Sequence, residues 1–162
     1  GEIIIEEHCD SYLIIRTSWL FSEYGNNFLK TILRLAQDRN TLEVVTDQIG
    51  CPTYAGHLAQ AILNVLQKIL DQSFENGIYH YAGYEQCSWY EFAQEILLAA
   101  ETNGKLNKLP IVKRVVSDKY PTTTKRPNYS ALDSSKFCKM FDVEPSNWRA
   151  ILPFVVNRVG LV

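Results

Sequence analysis

The segment Tyr12-Leu13-Ile14-Ile15-Arg16 places the strongest constraint on how this 162-residue chain folds. It is a strand-length apolar run without polar alternation, the pattern of a strand covered on both faces, as in a parallel sheet. Parallel strands need crossovers, and helices follow in order. Phe28, Ile32 and Leu35 recur at helical spacing behind Asn26 or Asn27 as N-cap, and this helix stops near Asp38-Arg39-Asn40. Leu42 to Val45 reads as a short strand. Asp47 to Thr53 is rich in turn formers, and Thr53 is placed to cap a helix carrying Leu58, Ile62, Val65, Leu66 and Ile69 on one stripe. Asn76-Gly77 breaks the chain before a strand at Ile78 to Ala82. Ser88-Trp89-Tyr90-Glu91 is a capping box opening a helix with Phe92, Ile96 and Leu97 inward and Asn103-Gly104 as its stop. Ile111 to Val116 is a further strand, and 117–129 a loop. Asp133 caps a short helix through Phe137 and Met140. A last helix starts near Ser146, and Pro153 is expected to kink or end it.

This alternation predicts an α/β domain spanning 1–162 as one unit. The strands are too few to complete a parallel sheet. The edges of Tyr12–Arg16 are therefore expected to lie open beside Leu13, Ile14 and Ile15, and the chain to self-associate through residues 1–20.

Composition narrows the partners. Hydrophobic residues at 46% and charged residues at 21% exclude a disordered chain. A net charge of -2 leaves no basic field for nucleic acid. No run of about 18 apolar residues predicts a membrane-spanning helix. The chain opens on Gly1-Glu2 and enters Ile3-Ile4-Ile5 without a charged lead-in, so no signal peptide is expected. Cys9, Cys51, Cys87 and Cys138 are too far apart for a Cys-x-x-Cys site and read as reduced thiols of a cytoplasmic protein. His8, His57 and His80 show no metal-ligand spacing and read as structural.

Catalytic signatures are missing. The eight glycines form neither Gly-x-Gly-x-x-Gly nor Gly-x-x-x-x-Gly-Lys, and Gly-x-Ser-x-Gly is absent. None of the nine tyrosines has a lysine four residues later, so the Tyr-Lys pair of many sugar-nucleotide reductases is not in this sequence.

Four segments carry a resemblance. They are Arg16-Thr17-Ser18-Trp19-Leu20-Phe21 with Gly25-Asn26-Asn27-Phe28; Asp47-Gln48-Ile49-Gly50-Cys51-Pro52-Thr53 running to Leu58-Ala59; Ser88-Trp89-Tyr90-Glu91-Phe92-Ala93; and Tyr120-Pro121-Thr122 with Arg126-Pro127-Asn128-Tyr129-Ser130-Ala131-Leu132-Asp133. In this order and spacing they resemble the second half of the dTDP-4-dehydrorhamnose reductases, extended short-chain dehydrogenases/reductases. The resemblance implies the C-terminal part of an NAD(P)-binding Rossmann-like fold with a small α/β substrate-binding subdomain. Gly1-Glu2 matches a position just after the family's Tyr-x-x-x-Lys, so the glycine-rich loop and the proton donor are expected upstream. The implied activity is hydride transfer from NADPH to the C4 ketone of a dTDP-linked 6-deoxysugar, with Mg²⁺ taking part in some members.

Each candidate residue has a functional and a plain reading. Trp19 follows a strand C-terminus, where open α/β sheets bind ligands, and its indole suits a sugar face; otherwise it is core. The resemblance puts Thr17 and Ser18 beside the nicotinamide, against simple strand-end bonding. Asn27 and Phe28 open a helix suited to a diphosphate, against N-capping. Gln48 and Thr53, ahead of Asp47, could read ribose and pyrimidine, against a self-bonded turn. Arg126 matches a diphosphate, against a solvated loop charge. Tyr81, Tyr84, Trp89 and Tyr90 could stack a thymine, but aromatics at these spacings are more often core, and no site role is assigned to them. Two other functions compete: another nucleotide-sugar epimerase or dehydratase, and a non-catalytic homologue like the regulatory subunit of methionine adenosyltransferase.

Overall fold

A computed structural model of the chain describes residues 1–71, 73–119 and 126–160. The elements run α1 (Glu2–His8), β1 (Leu13–Arg16), β2 (Leu20–Phe21), α2 (Phe28–Asp38), β3 (Thr41–Val45), β4 (Ile49–Gly50), β5 (Thr53–Tyr54), α3 (Ala55–Leu70), β6 (Gly77–His80), β7 (Cys87–Ser88), α4 (Trp89–Thr102), β8 (Ile111–Val115), α5 (Ser135–Phe141) and α6 (Trp148–Arg158). Among the described residues the strands pair two by two. β1 runs parallel to β6, β2 to β5 and β3 to β8, while β4 and β7 are antiparallel. The expected α/β class holds, and so does the incomplete sheet.

Two hydrophobic cores result. One joins β1 and β6 to α3 and α5 through Ala61, Val65, Tyr79, Tyr81, Phe137 and Phe141. The larger packs α2, α4 and α6 around Phe92, Ile96, Trp148 and Val155, over Leu42 and Val44 of β3. Two sequence devices fix its helices. Asn27 caps α2, its Oδ1 accepting from Lys30 N at 3.2 Å. Ser88 and Glu91 form the full capping box on α4, with Ser88 Oγ accepting from Glu91 N and the Glu91 carboxylate from Ser88 N. These bonds hold the Glu91 carboxyl below its ordinary range, the Ser88 backbone bond first among the causes.

Four sequence expectations change. Thr53 does not cap α3: it lies in β5, and Tyr54 is the N-cap without a side-chain bond. The α3 stripe is only half covered, with Ala61 and Val65 buried but Ile62, Leu66 and Ile69 exposed alongside Leu63 and Leu70. Pro153 lies inside α6 without ending it. Leu152, Val155 and Val156 are buried on either side of it, and that packing outweighs the missing N–H. Asp133 bonds the N–H and hydroxyl of Ser135 at 2.9 and 2.5 Å, while Ser134 takes the cap position. No described helix is long and apolar enough to cross a membrane.

Candidate functional site

The turn after β1 carries the first candidates. Thr17 Oγ1 is buried and has no hydrogen-bond partner among the described residues. Buried hydroxyls are seldom left so. Ser18 Oγ donates to the Cys51 carbonyl at 3.2 Å, the strand-end bonding of its plain reading. Trp19 takes a left-handed backbone, φ 46°, a rare conformation for a bulky residue. Its indole lies flat on that of Trp89, with ring centroids 3.5 Å apart and planes 7° from parallel. It also abuts Gly50: a methyl built there would lie 2.6 Å from Trp19 Nε1 and 2.7 Å from Cζ2. Only glycine leaves room for that ring.

A groove of about 750 Å³ opens along β3 and α2, within the size range of small-molecule sites. Phe28, Gln48, Trp89, Ser117, Arg39 and Arg126 line it, with aliphatic side chains of α2 and β3 as its floor. The structure thus brings three sequence candidates together: Phe28 from the start of α2, Gln48 from the β3–β4 turn, and Arg126 from the loop after β8. Gln48 is 9% exposed, whereas Arg126 is exposed. Tyr120-Pro121-Thr122 lies outside the described residues.

Other candidates sit apart from the groove lining. Thr53 is fully buried, and its hydroxyl donates to the Cys51 carbonyl at 3.4 Å and accepts from Gly83 N at 3.2 Å. Asn27 is engaged in capping, and its amide also donates to the Ser22 and Tyr24 carbonyls at 2.8 and 3.1 Å. Asp47 accepts from Ser117 N at 2.9 Å and from its hydroxyl at 2.8 Å, and those bonds hold its carboxyl below the usual range. It thereby ties the β3–β4 turn to Ser117 of the groove lining. Cys51 and Cys87 are buried, and burial pushes the Cys87 thiol up to about 12, so it packs rather than reacts. His57 Nδ1 lies 3.1 Å from Ser146 Oγ, and burial lowers its pKa.

Of the groove lining, the sequence does not single out Ser117 or Arg39, and it leaves Trp89 without an assigned role. Trp89 reads as core because it begins an amphipathic helix, and its stacking partner is 70 positions away. Arg39 looks like an ordinary helix-end charge. Among the described residues no group of three or more His, Cys, Asp or Glu side chains could hold a metal ion.

Residues 1–160 match the family model described as the RmlD substrate binding domain. The chain is 42% identical over 153 residues to a dTDP-4-dehydrorhamnose reductase of Aggregatibacter actinomycetemcomitans, covering 94% of the chain and 52% of that protein. A solved dTDP-4-dehydrorhamnose reductase from Bacillus anthracis, in complex with NADP, superposes with a TM-score of 0.81 at 34% identity over 96% of the chain and 51% of its own. One from Clostridium acetobutylicum gives 0.82 at 30% identity, covering 97% and 52%. The chain thus spans about half the length of these relatives. With the fold and most of its length matched, the chain belongs to the RmlD substrate-binding domain family.

Proposed function

We propose that this chain holds the nucleotide sugar in an NADPH-dependent dTDP-4-dehydrorhamnose reductase, and that its ligand is a dTDP-linked 4-keto-6-deoxysugar. The observation that carries this reading is the groove in which Gln48, Trp89 and Arg126 meet, three residues from three separate family-like segments. Two guanidinium groups, Arg39 and Arg126, border it. A diphosphate carries the charge and oxygen geometry that such forks bind. The Gln48 amide offers both a donor and an acceptor to a pyrimidine edge or a ribose hydroxyl.

NADPH, when bound, supplies the hydride. The unpartnered Thr17 hydroxyl, with Ser18 beside it, fits a polar group at the nicotinamide end. No dinucleotide loop occurs in the sequence, so these two residues are the share of cofactor contact assigned to this chain. The free, partly buried cysteines favour a reducing compartment, the cytoplasm, for this work.

Arg126→Ala tests the assignment. In the full-length protein, losing charge-assisted bonds to a diphosphate is expected to weaken dTDP binding by about 2 kcal/mol, roughly thirtyfold, by titration calorimetry. An unchanged affinity would return Arg126 to a solvated loop charge.

Self-association belongs to the same proposal. Among the described residues β1 is paired on one side, by β6. Ile3 and Ile4 of α1 are 67% and 62% exposed. Apolar surface of this kind beside an open strand drives association. Light scattering is expected to give a mass above 18.6 kDa that depends on concentration. A clean monomer at all concentrations would overturn this part.

A further inference from the structure

We propose that Trp89 is a positioning residue that acts through Trp19 and sets the affinity for the sugar end of the ligand; this rests on the nucleotide-sugar reading above. Trp19 sits in a left-handed turn that its own side chain disfavours, so its neighbours must hold it there. Gly50 closes one side of the indole, where no added methyl would fit. Trp89 closes a face, flat at 3.5 Å. Trp89 is itself anchored: it is the first residue of α4, directly after the Ser88 cap, and the Phe28 ring packs on it at 4.5 Å and 48°.

The two indoles therefore form one wall. Trp89 is the member that lines the groove, and Trp19 is the member that borders the Thr17–Ser18 turn with its unpartnered hydroxyl. Ligands of open α/β sheets lie beside strand C-termini, and β1 ends at this turn. A deoxysugar presents apolar C–H faces, which suit an indole surface, while the diphosphate and base find their polar partners at Arg126 and Gln48. Selection between a nucleotide that carries a sugar and one that does not thus passes through the Trp19–Trp89 pair.

The test titrates the 162-residue chain and its Trp89→Ala and Trp89→Phe variants with dTDP and with dTDP-L-rhamnose, and records far-UV circular dichroism. Both variants are expected to keep the helical far-UV spectrum of wild type, so that a loss of affinity is not a loss of fold. Trp89→Ala is expected to weaken dTDP-L-rhamnose binding about tenfold more than it weakens dTDP binding. Trp89→Phe, which restores a ring against Trp19, is expected to recover most of that loss. Equal weakening toward both ligands, or no weakening toward dTDP-L-rhamnose, would overturn the positioning role alone. Failure of wild type to bind either ligand would overturn the nucleotide-sugar reading, and the proposal with it.

Discussion

Gly83→Ala is expected to be among the most damaging single substitutions in this chain. Gly83 is buried where three segments meet. Its N–H donates to Thr53 Oγ1, and it bridges to Ser146. A methyl built on it would overlap the Pro52 carbonyl oxygen and lie 3.0 Å from Trp148 Cδ1. Neither neighbour can retreat. The Pro52 carbonyl is backbone, and Trp148 is 1% exposed with its Nε1 donating to the Glu85 carbonyl at 2.9 Å. Forced overpacking of this kind costs about 3 kcal/mol or more. For a domain of this size that lowers the thermal midpoint by roughly 6–12 °C, read by calorimetry. Gly160→Ala, where an added methyl meets nothing within 4 Å, is the control and is expected to change little. An unaltered midpoint in Gly83→Ala would contradict the packing described.

The second large effect is on activity. Residues 1–162 incubated with NADPH and dTDP-4-dehydrorhamnose are expected to show no oxidation above background. A ketone reduced by hydride must take a proton on oxygen as the alkoxide forms, and a positioned acid contributes about 10²–10⁴-fold to such a step. No tyrosine here is paired with a lysine four residues on, and no glycine-rich loop is present to hold the dinucleotide. The hydroxyls of Thr17 and Ser18 are poor acids. Measurable turnover by these residues alone would show that this chain holds a proton donor and cofactor site of a different kind.

Local rules were the most legible. Asn27 as N-cap and the Ser88–Glu91 box follow from bonds within a few residues, and both form as the sequence implies. The β1 strand and the unfinished sheet follow from an apolar run without alternation. What the sequence concealed depends on contacts across the fold. Thr53 resembles a cap or a ligand contact, yet pairing of the two-residue strand β5 with β2 draws it into the interior, where Gly83 takes its hydroxyl. Ile62, Leu66 and Ile69 have core spacing, but the described residues leave them exposed. Pro153 has the look of a helix end, and buried neighbours on both sides carry α6 past it. The site divides in the same way. Gln48 and Arg126, which stand out in the sequence as polar groups in a turn and a loop, both line the groove. Trp89 does not stand out, because a tryptophan opening an amphipathic helix looks like core until Trp19 is found lying flat against it.

The central claim, that the groove lined by Phe28, Gln48, Trp89 and Arg126 holds a nucleotide sugar, is tested most directly by amide and indole N–H shift mapping during titration with dTDP-L-rhamnose. The expected result is a saturable set of shifts at Gln48, Ser117 and Arg126 and at the Nε1–H signals of Trp19 and Trp89, with Trp148 undisturbed. Shifts confined to the separate hollow lined by His57, Asn64 and Asn147, or no saturable shifts at all, would contradict it.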